Sequence, residues 1–232
     1  MTIKAVVFDL DGTIVAFNLD YKTLRGEVRS YLLKMGVPSS LLKVNETIFE
    51  MLKETEIYMK NQGKPVTTLE EIRKEALKTA EKYEFEAAKQ TNLLSGAFET
   101  LKMLKRAGLK IGLCTLSSEK SALYLLKKFK LDEYFDSIIS RDRVNHVKPN
   151  SEHLQVVLKQ LNTTPQETLV VGDSVTDMQC ANDLKAIAVG LPSGVSTQQQ
   201  LISHGANYII TSITDLPVLI ERLNKPEPPS NE

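Results

Sequence analysis

The sequence predicts an α/β fold: a parallel sheet with helices on both faces, plus a small all-helical domain inserted after the first strand. Three observations lead there. Short apolar runs rich in β-branched residues recur along the chain, most of them separated by segments with apolar residues three or four apart, the alternation expected of parallel strands and crossover helices. Residues 16–91 contain helical spacing but no such run. The chain of 232 residues is 42% hydrophobic and 25% charged, a composition that supports a packed core and excludes a wholly disordered or collagen-like chain. At roughly 150 residues per domain it forms one large or two modest domains.

The first strand is Ala5-Val-Val-Phe8, which stops at the polar turn Asp9-Leu-Asp-Gly-Thr13. Further strands are expected at Lys110–Cys114, Ser137–Ser140, Leu169–Val171, Ala186–Val189 and Tyr208–Ile210. Between them, Phe98, Leu101, Met103 and Leu104, then Leu123, Leu126 and Phe129, then Leu154, Val157, Leu158 and Leu161 follow helical spacing, with Gly108 at a helix C-cap. The insert shows Leu24, Val28, Tyr31, Leu32 and Met35, then Leu41, Val44, Ile48, Met51 and Leu52, broken by Val37-Pro-Ser-Ser40. After a second break at Asn61–Pro65, Thr68 with Glu71 three residues on resembles a capping box. The expected organisation is a core of residues 1–15 and 92–224, a helical cap of residues 16–91, and a disordered tail of residues 225–232. Leaving the sheet at the carboxyl end of its first strand, where open α/β sheets bind ligands, the insert is placed to cover a site.

Charge and cysteine content exclude several functions. Lys and Arg total 29, as do Asp and Glu, and Trp is absent, so no global field draws the chain to nucleic acid or to an anionic membrane. Cys114 and Cys180 cannot build a disulfide framework or a cysteine-rich zinc site, which makes a reduced, cytoplasmic setting the expectation. Ile3–Leu10 is too short and too interrupted for a signal peptide or a membrane span.

Two acidic pairs carry the chemistry. Asp9 and Asp11, two residues apart at a strand end, can project to the same side. Alone they also read as an ordinary Asp-Gly turn. Asp173 and Asp177, in Gly-Asp-Ser-Val-Thr-Asp after another strand, share a face if a helix starts there, or serve as an N-cap with an acidic first turn. A parallel sheet gathers both pairs at one edge. Two like charges at about 4 Å repel by about 4 kcal/mol at an effective dielectric near 20, so such a cluster needs protons or a cation. Oxygen ligands without His or Cys favour Mg²⁺.

Four segments in order, Asp9-Leu-Asp-Gly-Thr13, Ile111-Gly-Leu-Cys-Thr115, Val147-Lys-Pro149 and Gly172-Asp-Ser-Val-Thr-Asp177, resemble the four motifs of the haloacid dehalogenase superfamily. The chain is most similar to its helical-cap phosphatases, such as phosphoglycolate phosphatases. The resemblance implies a Rossmann-like core and a Mg²⁺-dependent phosphatase acting on a small phosphorylated metabolite, as a monomer or homodimer. It makes Asp9 the nucleophile that forms an aspartyl-phosphate, and Asp11 the group that protonates the leaving oxygen and later deprotonates water while its carbonyl binds the metal. Thr115 and Lys148 would hold phosphoryl oxygens, with Lys148 also restraining Asp9. Asp9 and Asp173 would ligate the metal, with Asp177 directly or in support.

Asp11 separates the chain from dehalogenases and phosphonate-cleaving relatives, and Thr13 is more like the phosphatases than the sugar phosphomutases. A phosphomutase and a catalytically silent binding protein stay as alternatives. The clustered carboxylates count against silence, since stability alone does not require them. Many relatives have Asn after the second-motif Thr; here Leu116 follows Thr115, with Ser117 and Ser118 next. In the cap, Lys22, Arg25 and Arg29 lie close to one helical face, and Arg25 is the candidate for an anionic substrate tail, the competing reading being a solvated face with Glu27 nearby.

Overall fold

The computed structural model describes residues 2–225. The expected disordered tail lies, from residue 226 on, outside the described residues. Six strands, β1 (Ala5–Phe8), β2 (Lys110–Cys114), β3 (Ser137–Ile139), β4 (Thr168–Gly172), β5 (Ile187–Gly190) and β6 (Tyr208–Ile209), form one sheet in the order β3-β2-β1-β4-β5-β6. Every pairing is parallel, with Phe8 beside Leu113 on one side and Val171 on the other. All six expected strands form, within a residue or two at their ends.

The core strands are continuous apolar runs because both faces of the sheet are covered. Ala5, Val7, Val170 and Ala188 pack with Leu154 and Val157 of helix α6 (Glu152–Leu161) and with Met178 and Ala181 of α7 (Val175–Asp183) in one buried cluster. The alternate residues Val6, Phe8, Ile111, Leu113 and Val171 are fully buried on the other face, where α4 (Ala97–Arg106) packs on β2. Each such side chain stabilises the fold by roughly 1.5–3 kcal/mol through removal from water. The remaining helices of this unit are α5 (Glu119–Lys128), α8 (Gln198–Ser203) and α9 (Leu216–Asn224). Gly108, at φ +78°, follows the C-cap of α4 as its position in the sequence predicts.

The chain divides into two compact units, residues 1–18 with 90–232, and residues 19–89. The second is built from α1 (Tyr21–Lys34), α2 (Ile48–Asn61) and α3 (Val66–Gln90). Leu24, Val28 and Leu32 of α1, Ile48, Met51 and Leu52 of α2, and Leu69, Ile72 and Ala76 of α3 form its core. The proposed capping box at Thr68 is corrected: α3 begins two residues earlier, and the Pro65 carbonyl accepts from the Thr68 amide at 3.1 Å, so Thr68 lies inside the first turn. The box occurs instead at Thr47 and Glu50, before α2. Among the described residues no helix is long and apolar enough to cross a membrane.

Candidate active site

The strand order creates a switch point. From β1 the chain proceeds to β2 and β3 on one side, then returns to place β4 on the other, so a crevice opens at the carboxyl ends of β1 and β4. Asp9 follows β1 directly, and its amide still donates to the Val171 carbonyl at 2.9 Å. Beyond it the chain turns sharply: the Gly12 amide donates to the Val15 carbonyl at 2.7 Å, with Gly12 at φ +87°. A side chain at Gly12 would also meet Asp173, because a Cβ there would lie 2.6 Å from Oδ2. Glycine is therefore required for conformation and for space alike.

At the end of β4 the local roles differ from one of the two open readings. Ser174, not Asp173, caps α7: its hydroxyl accepts from the Asp177 amide, and Asp177 Oδ2 accepts in return from the Ser174 amide at 3.2 Å, a reciprocal capping box. Asp173 is thereby released from capping. Its Oδ2 accepts from the Val195 amide at 2.7 Å, and its carbonyl from the Ser196 amide at 3.2 Å. The loop after β5 thus supports this carboxylate, and it approaches so closely that a Cβ at Gly194 would lie 2.0 Å from Asp173 Oδ2. Gly194→Ala is expected to displace the Asp173 carboxylate and so to weaken by roughly tenfold or more the affinity of the acidic cluster for an added divalent cation. Calorimetric titration checks it; an unchanged affinity would refute the role of this loop.

Lys148, 4% exposed, enters from the loop before α6 and joins two of the carboxylates, with Nζ 2.7 Å from Asp9 Oδ1 and 2.5 Å from Asp177 Oδ1. Carboxylate oxygens of Asp9, Asp173 and Asp177 all lie within 4.8 Å of one another. Burial raises the Asp9 carboxyl well above its ordinary value, with Lys148 opposing and Asp177 adding. Burial, with Asp177 beside it, raises Asp173 to about 7. Burial pulls the Lys148 ammonium down, but Asp177 and Asp9 outweigh that and hold it well above its ordinary value.

One ammonium thus serves three buried carboxyls, two of which are raised toward their protonated forms. A hard divalent cation matches this oxygen-only donor set and would draw the raised carboxyls back to their ionised forms. Asp11 is not in that cluster, and its Oδ2 accepts from the Ser117 hydroxyl. Thr115, at the end of β2, is buried; its amide donates to Ile139 at 3.1 Å, and its Oγ1 accepts from the Ser117 amide at 3.1 Å. The structure therefore brings Asp9, Lys148, Asp173 and Asp177 into direct association and attaches Asp11 and Thr115 to a common residue, Ser117.

The sequence model of haloacid dehalogenase-like hydrolases matches residues 6–190. The chain belongs to this family. Pyrophosphatase PpaX of Bacillus anthracis (strain A0248) is 26% identical over 232 residues, an alignment spanning 97% of this chain and 100% of that protein. PpaX of Bacillus mycoides is 33% identical over 127 residues, which are 55% of this chain and 59% of the relative. Among solved structures, a haloacid dehalogenase-like hydrolase from Bacteroides fragilis is 26% identical with a TM-score of 0.66, over 93% of this chain and all of the other. The expected α/β core and hydrolase class are thereby established for this haloacid dehalogenase-like chain.

Sequence reasoning missed His153 of this hydrolase. Fully buried on α6, it lies 3.2 Å from the Ile139 carbonyl through Nε2, while its Nδ1 lies 3.4 Å from the Lys148 amide. A neutral ring carrying its proton on Nε2 satisfies both contacts. Burial, aided by Lys148, pulls this imidazole down to about 4. The unfolded chain, with an ordinary His near 6.5, binds a proton that the folded state refuses between those values. Stability is therefore full above pH 6.5 and declines as pH falls to about 4, by about 3 kcal/mol. Urea midpoints from pH 7 to 4.5 are expected to fall more steeply in the wild type than in His153→Leu; parallel profiles would count against it. The pattern of His five residues after Lys148 was visible, but nothing local marked it as a support.

In the second unit, Arg29 Nε donates to the Leu42 carbonyl at 2.8 Å, which gives that residue a structural use. Arg25 instead stacks its guanidinium 5.1 Å above the Tyr21 ring, and among the described residues its buried Nε has no hydrogen-bond partner.

Proposed function

We propose that this haloacid dehalogenase-like hydrolase is a phosphatase, cleaving a small phosphorylated metabolite by way of an aspartyl-phosphate on Asp9. The observation that supports it is the placement of Lys148, which pairs with both Asp9 and Asp177, while Asp11 accepts a hydrogen bond from Ser117. A nucleophile needs an oriented, ionised carboxylate, whereas an acid-base group needs a separate environment. Here Lys148 donates to one of two carboxyls two residues apart in sequence, and Ser117 to the other. Lys148 orients Asp9 and reduces the repulsion between that carboxylate and an incoming dianion. Thr115, its Oγ1 accepting from the chain, can turn its proton toward a phosphoryl oxygen. Asp11 supplies a proton to the leaving oxygen and takes one from the water that resolves the intermediate.

Asp9, Asp173 and Asp177, with the Asp11 carbonyl, are the groups we assign to a Mg²⁺ ion. When bound, Mg²⁺ neutralises charge on the transferring phosphoryl group. We assign substrate selection to the helical unit of residues 16–91, and to Arg25 the recognition of an anionic tail. The unpartnered Nε supports Arg25 over Arg29 for that role.

A panel of phosphate monoesters and pyrophosphate, assayed with Mg²⁺ and after chelation, tests this reading. Phosphate release is expected to fall at least about a hundredfold on chelation and to return with Mg²⁺. Arg25→Ala should raise KM for carboxylate-bearing esters more than for neutral ones. Isomerisation without phosphate release would favour a phosphomutase, and no turnover of any compound would favour a binding protein.

A further inference from the structure

The segment that joins β2 to α5 is held at each residue by a different bond. The Thr115 amide continues the sheet to Ile139, the Leu116 carbonyl accepts from Arg141 Nη1 at 3.1 Å, and the Ser117 carbonyl accepts from the Arg141 amide at 3.4 Å. The Ser117 amide donates to Thr115 Oγ1 at 3.1 Å, and the Ser118 hydroxyl accepts from the Ser121 amide at 3.3 Å as the N-cap of α5. Arg141 itself is 4% exposed and lies just past β3, so the segment is braced from the interior. With its amide and carbonyl both used, Ser117 contributes only its hydroxyl, and Ser117 is itself buried. That hydroxyl donates to Asp11 Oδ2, 106 residues away in sequence.

We infer that Ser117 is a positioning residue for the reaction: it holds the Asp11 carboxyl at the leaving-group side of the site, and Arg141 holds Ser117. The inference rests on the phosphatase reading above and deepens it. In the first step the bond from Asp9 to phosphorus forms, the bond from phosphorus to the leaving oxygen breaks, and a proton passes from Asp11 to that oxygen. A carboxyl that loses one of its restraints spends less time in line with that oxygen, so loss of Ser117 weakens proton delivery without touching the nucleophile. The hydroxyl is suited to this because it can donate to Oδ2 when Asp11 is ionised and accept from Asp11 when it carries the proton.

The test compares two esters that differ in their need for a proton. 4-Nitrophenyl phosphate releases a stable phenolate, whereas glycerol 3-phosphate must release an alcohol. Ser117→Ala is expected to lower kcat/KM about tenfold for the alkyl ester and less than about twofold for the aryl ester, with Ser117→Thr restoring the alkyl reaction. Asp11→Asn should show the same split, larger. If Ser117→Ala loses both reactions equally while Asp11→Asn keeps the split, positioning by Ser117 is overturned and the reading of Asp11 stands. If Asp11→Asn shows no split, the acid-base role of Asp11 fails and the role of Ser117 with it; if the wild type releases phosphate from no compound of the panel above, the phosphatase reading itself fails. Ser117→Gly provides a second removal of the hydroxyl should the alanine variant not fold.

Discussion

Asp9→Asn is expected to abolish phosphate release, lowering kcat/KM by about a thousandfold or more. The substitution preserves the shape of the side chain and removes the oxygen charge that attacks phosphorus, so binding should survive while the covalent step does not. Its effect on stability should have the opposite sign. Asp9 is held well above the ordinary carboxyl range, chiefly by burial. A carboxyl raised in the folded state contributes stability that is present below its unfolded value and lost as pH rises through its folded value. At pH 8 without a divalent cation, the neutral Asn therefore removes a burden, and Lys148 keeps Asp177 as a partner. The variant should unfold at an equal or higher temperature than the wild type in chelator, an advantage that shrinks when Mg²⁺ is added. Persistent phosphate release by a preparation free of other phosphatases would overturn the assignment of the nucleophile.

Lys148→Met should damage both activity and fold. The lysine is buried and pairs with two carboxylates, and removing one member of a buried charge network costs about 3–5 kcal/mol because the partners are left uncompensated. Catalysis should fall about a hundredfold to ten-thousandfold, since Asp9 loses its orienting partner and the phosphoryl group loses a positive charge. The pH profile separates this from simple loss of packing. In the variant, Asp9 and Asp173 have no ammonium beside them, and both are already raised in the wild type, Asp173 to about 7. The folded state then takes up protons on these carboxyls more readily than the wild type does, so the variant's deficit relative to the wild type should shrink as pH falls from 8 to 5. Thermal unfolding across that range measures it; a variant equally weakened at every pH would show that the site's charge balance is not the cause. Mg²⁺ should restore part of the lost stability at pH 8.

Much of the core was legible because a parallel sheet writes a local signature. Ala5–Phe8, Lys110–Cys114 and Thr168–Gly172 are buried on both faces, and continuous β-branched runs show it without a structure. The acidic turns were legible for the same reason, since Asp9-Leu-Asp-Gly and Gly-Asp-Ser-Val-Thr-Asp interrupt those runs with residues that strands avoid. Helix starts were less so. Thr68 and Glu71 have the composition of a capping box, yet the helix begins two residues before Thr68, at Val66. At the start of α7 the sequence left Asp173 open as an N-cap; the structure gives the cap to Ser174, while Asp173 accepts from the Val195 amide.

From its sequence alone, then, this chain's α/β class, its carboxylate-bearing strand ends and its family were determined, because buried strands and motif spacings are properties of contiguous residues. The tertiary structure alone decided how those ends are held: that Lys148 pairs with Asp9 and Asp177, that Gly194 leaves room for Asp173, that His153 supports the Lys148 loop, and that Ser117 donates to Asp11. Apart from His153, these contacts join residues 21 to 139 positions apart. The physical reason is that a hydrogen bond or an ion pair needs atoms within about 3–4 Å, and no local pattern specifies which distant side chain a folded sheet will bring that close.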